Sequence, residues 1–299
     1  MRGERLEPQT FEGDSLLARF ASFVKLPHTV FALPFALLGV LGASLQFPVT
    51  WRIVALVVVA FSAARWVAMG FNRIADREWD ALNPRTQGRE IPAGRLSAAQ
   101  AAAAVALASL AFIASAALLN PLCFILSVPA LFWVLAYSYT KRFTSWSHAW
   151  LGASLAIAPV GGFLAVAGQW STPAWTLGAL AAAVLLWVAG FDIFYALQDR
   201  EFDRQHGLRS AVVLLGMHGS IRLAKSLHYV AILALLSFAF GAGLGWISYA
   251  GLAAAAIVLL WEHRLVKPAD LSRLNAAFFT LNGVMSVVVC VAMLLDRVV

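Results

Sequence analysis

Apolar residues run along this chain in long blocks broken by short polar stretches. The blocks cover about 27–46, 51–71, 98–119, 121–139, 148–168, 174–195, 222–243, 246–263 and 275–295. Each is close to the roughly 20 residues that a helix needs to cross the hydrocarbon core of a bilayer. The pattern predicts an all-α, polytopic membrane protein of about nine transmembrane helices. They form a single domain over 1–299, with a polar cytoplasmic segment over 1–20. Several blocks are rich in Ala and Gly, which lets membrane helices approach closely. Pro34, Pro129 and Pro159 fall inside blocks and are predicted to kink them.

The polar stretches alternate in charge. Those after blocks two, four, six and eight hold Arg73, Arg77, Arg85, Arg89 and Arg95; then Lys141 and Arg142; then Arg200, Arg204 and Arg209; then Arg264, Lys267 and Arg273. The others carry almost no charge. An excess of Lys and Arg marks cytoplasmic loops, so the first set is predicted to lie inside, with the N-terminus inside and the C-terminus outside. Trp51, Trp170, Trp175 and Trp246 then sit near the opposite ends, as anchors in an interfacial belt.

Composition supports this class. The 299 residues are 61% hydrophobic and 12% charged, with mean hydropathy +0.79. A soluble chain carries about twice that share of charge. The net charge of +7 follows from the loop arginines and lysines, so no nucleic-acid partner is expected. Met1 to Asp14 is polar and mixed in charge, without a signal-peptide pattern. Cys123 and Cys290, the two cysteines, lie in apolar surroundings and offer neither a disulfide framework nor a thiolate metal site.

Two acidic patterns end apolar blocks. Asn72, Asp76 and Asp80 sit four apart, so a helix would place them on one face, about 6 Å apart along its axis per step. Asp192-x-x-Tyr195-x-x-x-Asp199-x-x-x-Asp203 repeats the idea. One such pattern is commonly a solvated helix end. Two copies, both on the predicted cytoplasmic side, point to divalent cations with a polyanion. Diphosphate bridged by Mg2+ is the natural candidate, because Mg2+ combines a few carboxylates with phosphate oxygens. A transporter would instead place its acidic residues near mid-membrane.

Further candidates surround these patterns. Arg65 lies two turns before Asn72 on the same face, and a buried intramembrane arginine faces a cavity or a partner. It reads either as a structural ion pair or as a fixed cation for a carboxylate or phosphate. Tyr137 and Lys141 lie one turn apart before Arg142, as a diphosphate contact or as an ordinary interfacial anchor. Arg85 and Arg89 add two cations beside the first acidic face. His28, His148, His206, His218, His228 and His263 show no metal-ligand spacing and read as interfacial or structural. No G-x-S-x-G or Walker pattern occurs, which disfavours a serine hydrolase and a P-loop NTPase.

Taken together, these residues resemble the UbiA superfamily of intramembrane aromatic prenyltransferases. Asn72-Arg73-x-x-Asp76-x-x-x-Asp80 is similar to the family's first acidic motif, with Arg73 in place of an aspartate. Asp192 to Asp203 is similar to the second, Tyr137-x-x-x-Lys141-Arg142-x-Thr144 to the basic motif between them, and Arg65 stands where the family has an arginine for the acceptor's carboxylate. The resemblance implies a nine-helix bundle in which Asp76, Asp80, Asp199 and Asp203 hold Mg2+ and the diphosphate of a polyprenyl donor. It implies catalytic roles for Asp76, Asp192, Tyr195 and Asp199. It also implies substrate binding by Arg65, Asn72, Arg85, Arg89, Tyr137, Lys141 and Arg142. The run from Lys25 to Phe35 resembles a bacterial branch that acts on 4-hydroxybenzoate or, for menaquinone, on a naphthoate acceptor. The implied place is the inner membrane, with the active site toward the cytoplasm.

Overall fold

The computed structural model describes residues 15–25, 27–266, 271, 274 and 280–299, without the side chains of 16, 17 and 27–31. Met1 to Asp14, Lys267, Arg273, the His28 side chain and the first part of the 275–295 block lie outside the described residues.

Twelve helices are described: α1 (Leu16–Phe23), α2 (Pro27–Ser44), α3 (Trp51–Ala75), α4 (Arg77–Leu82), α5 (Ala98–Leu119), α6 (Pro121–Ala136), α7 (Ser147–Ala167), α8 (Ala174–Ala196), α9 (Arg200–Gln205), α10 (Ala211–Gly241), α11 (Trp246–Leu265) and α12 (Asn282–Val298). No strand occurs among the described residues. Seven helical stretches are long and apolar enough to cross a membrane, so this is a multi-pass membrane protein. They match seven of the nine expected spans. The other two, α2 and α12, are shorter among the described residues.

Local chemistry sets the boundaries. Thr50 caps α3 by accepting from the Ile53 amide, and Ser97 and Gln100 form a reciprocal capping box on α5. Asn120 caps α6 ahead of Pro121, while its amide donates to the Leu164 carbonyl near the end of α7. α10 begins eleven residues before the expected position 222. The run over 211–215 is apolar but short, and Gly216, His218, Gly219 and Ser220 separate it from the expected block; Ser210 caps the helix and Gly216, at φ 67°, breaks its first turns. Pro34, Pro129 and Pro159 stay within their helices.

The long helices pack as a ring in chain order, from α2 through α3, α5, α6, α7, α8, α10, α11 and α12 back to α2. Contact between α2 and α7 pinches this ring into two lobes. Glycine makes the pinch possible. A Cβ at Gly39 would overlap the Pro159 carbonyl oxygen, and one at Gly162 would overlap that of Ala36. One lobe, from α7 through α12 and α2, encloses the main apolar core. Trp187 lies at its centre, with ring centroids 4.8 Å from Phe35 and 4.9 Å from Phe191. The Trp187 indole donates to Asn282 at 2.6 Å, and the Asn282 amide donates to Glu262 at 3.0 Å, so this core buries a polar chain with partners. The other lobe encloses a cavity instead. Trp51, Trp170, Trp175 and Trp246 are exposed at or beside helix ends, as an interfacial belt requires.

Candidate active site

The cavity has a volume of about 810 Å³ and is lined from α2, α3, α5, α6, α7 and α8. Along α3 the lining runs from Asp76 back to Val57, about 28 Å at helical rise. The Val57 end is apolar, with Leu119, Cys123 and Leu164. The Asp76 end holds nearly all the charge.

Both acidic motifs sit where a long helix breaks into a six-residue one. Asp76 joins α3 to α4 at φ −100°, ψ 9°, and Asp199 opens α9 at φ −95°, ψ 0°. The motifs are therefore not on unbroken helices, as their spacing suggested. The Asp76 amide still donates to Asn72 and the Asp80 amide to Asp76, so the expected face survives the break. The matching breaks also give the two halves the outline of a repeat.

Four of the five motif aspartates, all but Asp192, meet a cation. Arg85 clasps Asp199 with two hydrogen bonds, Nε to Oδ1 at 2.8 Å and Nη2 to Oδ2 at 2.7 Å, and Asn83 donates to Oδ1 at 3.1 Å. Arg89 donates to Asp80 Oδ1 at 2.8 Å, Lys141 to Asp203 at 3.3 Å, and Arg142 lies 3.7 Å from Asp76. Asn72 donates to Asp76 at 2.8 Å. The loop carrying Arg85 and Arg89 is fixed by buried groups. Thr86 donates to the Asp80 carbonyl, and the Asn83 side chain accepts from the Arg85 amide.

The electrostatics follow from this packing. Burial, then the neighbouring Asp80 charge, pushes the Asp76 carboxyl up to about 6, against the pull of Lys141, Arg142 and Arg89. Burial works against the charged forms of Arg85 and Arg89, but Asp199 and Asp80 respectively, each aided by Tyr195, hold them above the ordinary arginine range. Burial and the positive charge of Arg89, Arg73 and Arg85 drive the Lys25 ammonium well below its ordinary value.

Every candidate catalytic, substrate-binding or metal-binding residue lines this cavity: Arg65, Asn72, Asp76, Asp80, Arg85, Arg89, Tyr137, Lys141, Arg142, Asp192, Tyr195, Asp199 and Asp203. Tyr137 and Lys141 lie on a 3-10 turn rather than on α6 itself. Tyr195 accepts from Arg85 Nη1 at 3.1 Å, with the guanidinium 5.2 Å and the Lys25 ammonium 6.0 Å from its ring centre. Arg73, the departure from the family pattern, is buried 3.8 Å from Glu90, so it braces the Arg85–Arg95 loop.

Among the polar lining residues that the sequence does not mark are Lys25, Asn83 and His148. His148 is 1% exposed, and its Nδ1 lies 2.6 Å from Asp192 Oδ2. No spacing pattern marks His148. Its one signal is its place at the mouth of a span, on the side where the acidic motifs lie.

Mg2+ fits this donor set. Among the described residues no three His, Cys, Asp or Glu side chains converge on one point, and Mg2+ needs only one or two carboxylates when phosphate oxygens and water complete its shell. Asp80 Oδ2 is buried without a hydrogen-bond partner, a free acceptor at the charged end.

The chain matches the model of the UbiA prenyltransferase family over residues 32–284. It is 35% identical over 196 residues, 66% of each chain, to a 4-hydroxybenzoate octaprenyltransferase of Alcanivorax borkumensis. A solved UbiA homologue from Aeropyrum pernix superposes with TM-score 0.82 at 34% identity, covering 90% of this chain and 98% of that one. A UbiA homologue from Archaeoglobus fulgidus bound to GPP and Mg2+ shares the fold, with TM-score 0.68 at 18% identity, 94% of this chain and all of that one. The protein belongs to the UbiA prenyltransferase family and is a membrane-embedded prenyltransferase.

Proposed function

We propose that the protein catalyses the Mg2+-dependent transfer of a polyprenyl group from an allylic diphosphate to an aromatic acid, 4-hydroxybenzoate first among them, in ubiquinone-type quinone synthesis. The active site would face the cytoplasm from the inner membrane. One observation carries the reading: a single cavity joins a charged end, built from two acidic motifs and their cations, to an apolar end near Val57 and Leu164. That shape suits a molecule with a diphosphate head and a long hydrocarbon tail. The named activity of the Alcanivorax relative and the GPP and Mg2+ of the Archaeoglobus structure support the same substrates.

Asp76 with Asp80, and Asp199 with Asp203, would hold Mg2+. The ion supplies Lewis-acid neutralisation of the leaving diphosphate. The chain's own residues do the rest. Arg89, Lys141 and Arg142 already stand beside the motif carboxylates. Their charge would pass to the diphosphate oxygens as the allylic C–O bond breaks. Asn72 orients Asp76. The Tyr195 ring, which faces two cations, would stabilise the allylic cation in turn. The apolar walls hold the tail and exclude water that would quench the cation. Arg65, within electrostatic reach of Tyr137, would take the acceptor's carboxylate as a two-pronged donor. Asp192 would accept the proton of the acceptor's hydroxyl while the ring carbon beside it attacks.

The similarity of the Lys25 to Phe35 run keeps a second acceptor open, a dihydroxynaphthoate on the way to menaquinone. Membranes containing the protein, incubated with Mg2+, geranyl diphosphate and a panel of aromatic acids including both acceptors, decide it by product mass. Prenylated 4-hydroxybenzoate supports the proposal. Product from the naphthoate alone moves the protein to the second acceptor, and no product with any acid removes the reading.

A further inference from the structure

His148 is a buried imidazole that the catalytic roles above leave unused. It is the second residue of α7, at the charged end of the cavity, and it faces Asp192 of α8. Nδ1 and Asp192 Oδ2 are 2.6 Å apart. The other ring nitrogen, Nε2, is buried with no hydrogen-bond partner. A carboxylate oxygen at 2.6 Å requires a hydrogen on Nδ1, and a buried N–H without an acceptor is costlier than a bare lone pair. The hydrogen therefore sits on Nδ1, which donates to Asp192. The two side chains differ in access. Both line the cavity, but the Asp192 side chain is 17% exposed and that of His148 2%. A ligand in the cavity meets mainly the carboxylate.

We propose that His148 is the positioning residue for Asp192. By holding Oδ2, it fixes the carboxylate so that the remaining oxygen points at the acceptor's hydroxyl. The inference rests on the prenyl-transfer reading. In that reaction the hydroxyl O–H bond breaks, and its proton goes to Asp192. The electron pair left on oxygen drives the neighbouring ring carbon onto the allylic carbon. The allylic C–O bond breaks, with its pair leaving on diphosphate. The resulting dienone regains aromaticity by losing the ring proton to diphosphate and recovering the hydroxyl proton from Asp192. The arrangement resembles the orienting hydrogen bond behind a general base. Tyr137 and Lys141 line the same cavity within electrostatic reach of Asp192.

The test uses the purified full-length protein in detergent, with geranyl diphosphate, Mg2+ and the best acceptor from the panel. A hydrogen bond to a charged group gives the scale, so His148→Ala should lower kcat/KM for the acceptor by about 10- to 100-fold. KM for the donor should stay within about twofold. Asn can place its amide where Nδ1 stood, whereas the Gln amide reaches the Nε2 position instead. His148→Asn should therefore stay near wild type, with His148→Gln as slow as Ala. His148→Ala added to Asp192→Ala should cost nothing further, because the imidazole acts only through that carboxylate. The Asn–Gln contrast decides the matter even if the Ala variant fails to fold. Equal rates for Asn and Gln, or multiplied losses in the double variant, would overturn the inference and leave prenyl transfer standing. A wild-type protein that prenylates no aromatic acid would overturn both.

Discussion

Asp76→Asn should make the protein more stable near neutral pH while it destroys diphosphate binding. The carboxyl stands at about 6, raised first by burial and then by Asp80. Against an ordinary value near 4, that gap corresponds to about 3 kcal/mol. The side chain is 28% exposed, so solvent screening reduces the figure to about 1–2 kcal/mol. The sign follows from proton counting. The folded-state value is raised, so between about pH 4 and 6 the folded protein binds more protons than the unfolded chain. Stability therefore rises as pH falls through that window, and the penalty is complete above 6. Asparagine carries no charge to desolvate, and its side-chain oxygen can still accept from Asn72. At about 2 °C per kcal/mol for a chain of this size, the variant should melt about 2–4 °C above wild type at pH 7.5. The difference should shrink at pH 4.5. Thermal melting of both proteins in one detergent, at the two pH values, is the assay. A variant that melts lower at pH 7.5, or a difference that ignores pH, would refute the reasoning.

Three further outcomes are expected. Arg65→Ala should weaken the acceptor about ten- to a hundredfold, with little change in the donor's KM, and Arg65→Lys should recover only part, because a point charge lacks the planar fork; equal damage toward both substrates would make Arg65 a structural ion. Gly162→Val should cost about 1–3 kcal/mol or prevent assembly, because its Cβ meets the Ala36 carbonyl at the α2–α7 pinch; a wild-type melting curve would contradict that geometry. Cysteines at positions 89 and 204 should label from one side of the membrane and a cysteine at 172 from the other; labelling of 89 and 204 from opposite faces would break the topology.

The bilayer explains why so much of the fold was legible. A span must be long, apolar and closed by charge, and α5 runs over 98–119 as its block did. The start of α10 escaped because Gly216, His218, Gly219 and Ser220 cut the short apolar run over 211–215 off from the longer block after it. The acidic motifs were legible because four-residue spacing survives the helix breaks at Asp76 and Asp199. Their cation partners were not legible. Arg85 reaches Asp199 across 114 positions, a pairing set by how the loop after α4 folds over the end of α8. Topology alone accounts for basic residues in that loop, so their charge said nothing of their targets. Arg73, placed where the family has an aspartate, became interpretable only with buried Glu90 beside it. His148 had no partner at any helical spacing, because Asp192 lies 44 residues away.

The central claim is that Asp76–Asp80 and Asp199–Asp203 form one site for a Mg2+-bridged diphosphate. Calorimetric titration of geranyl diphosphate into purified protein, with Mg2+ and then with EDTA, tests it most directly. Wild type should bind only with Mg2+, and Asp76→Asn and Asp199→Asn should each abolish that binding while remaining folded. Metal-dependent binding that survives in either variant would contradict the claim.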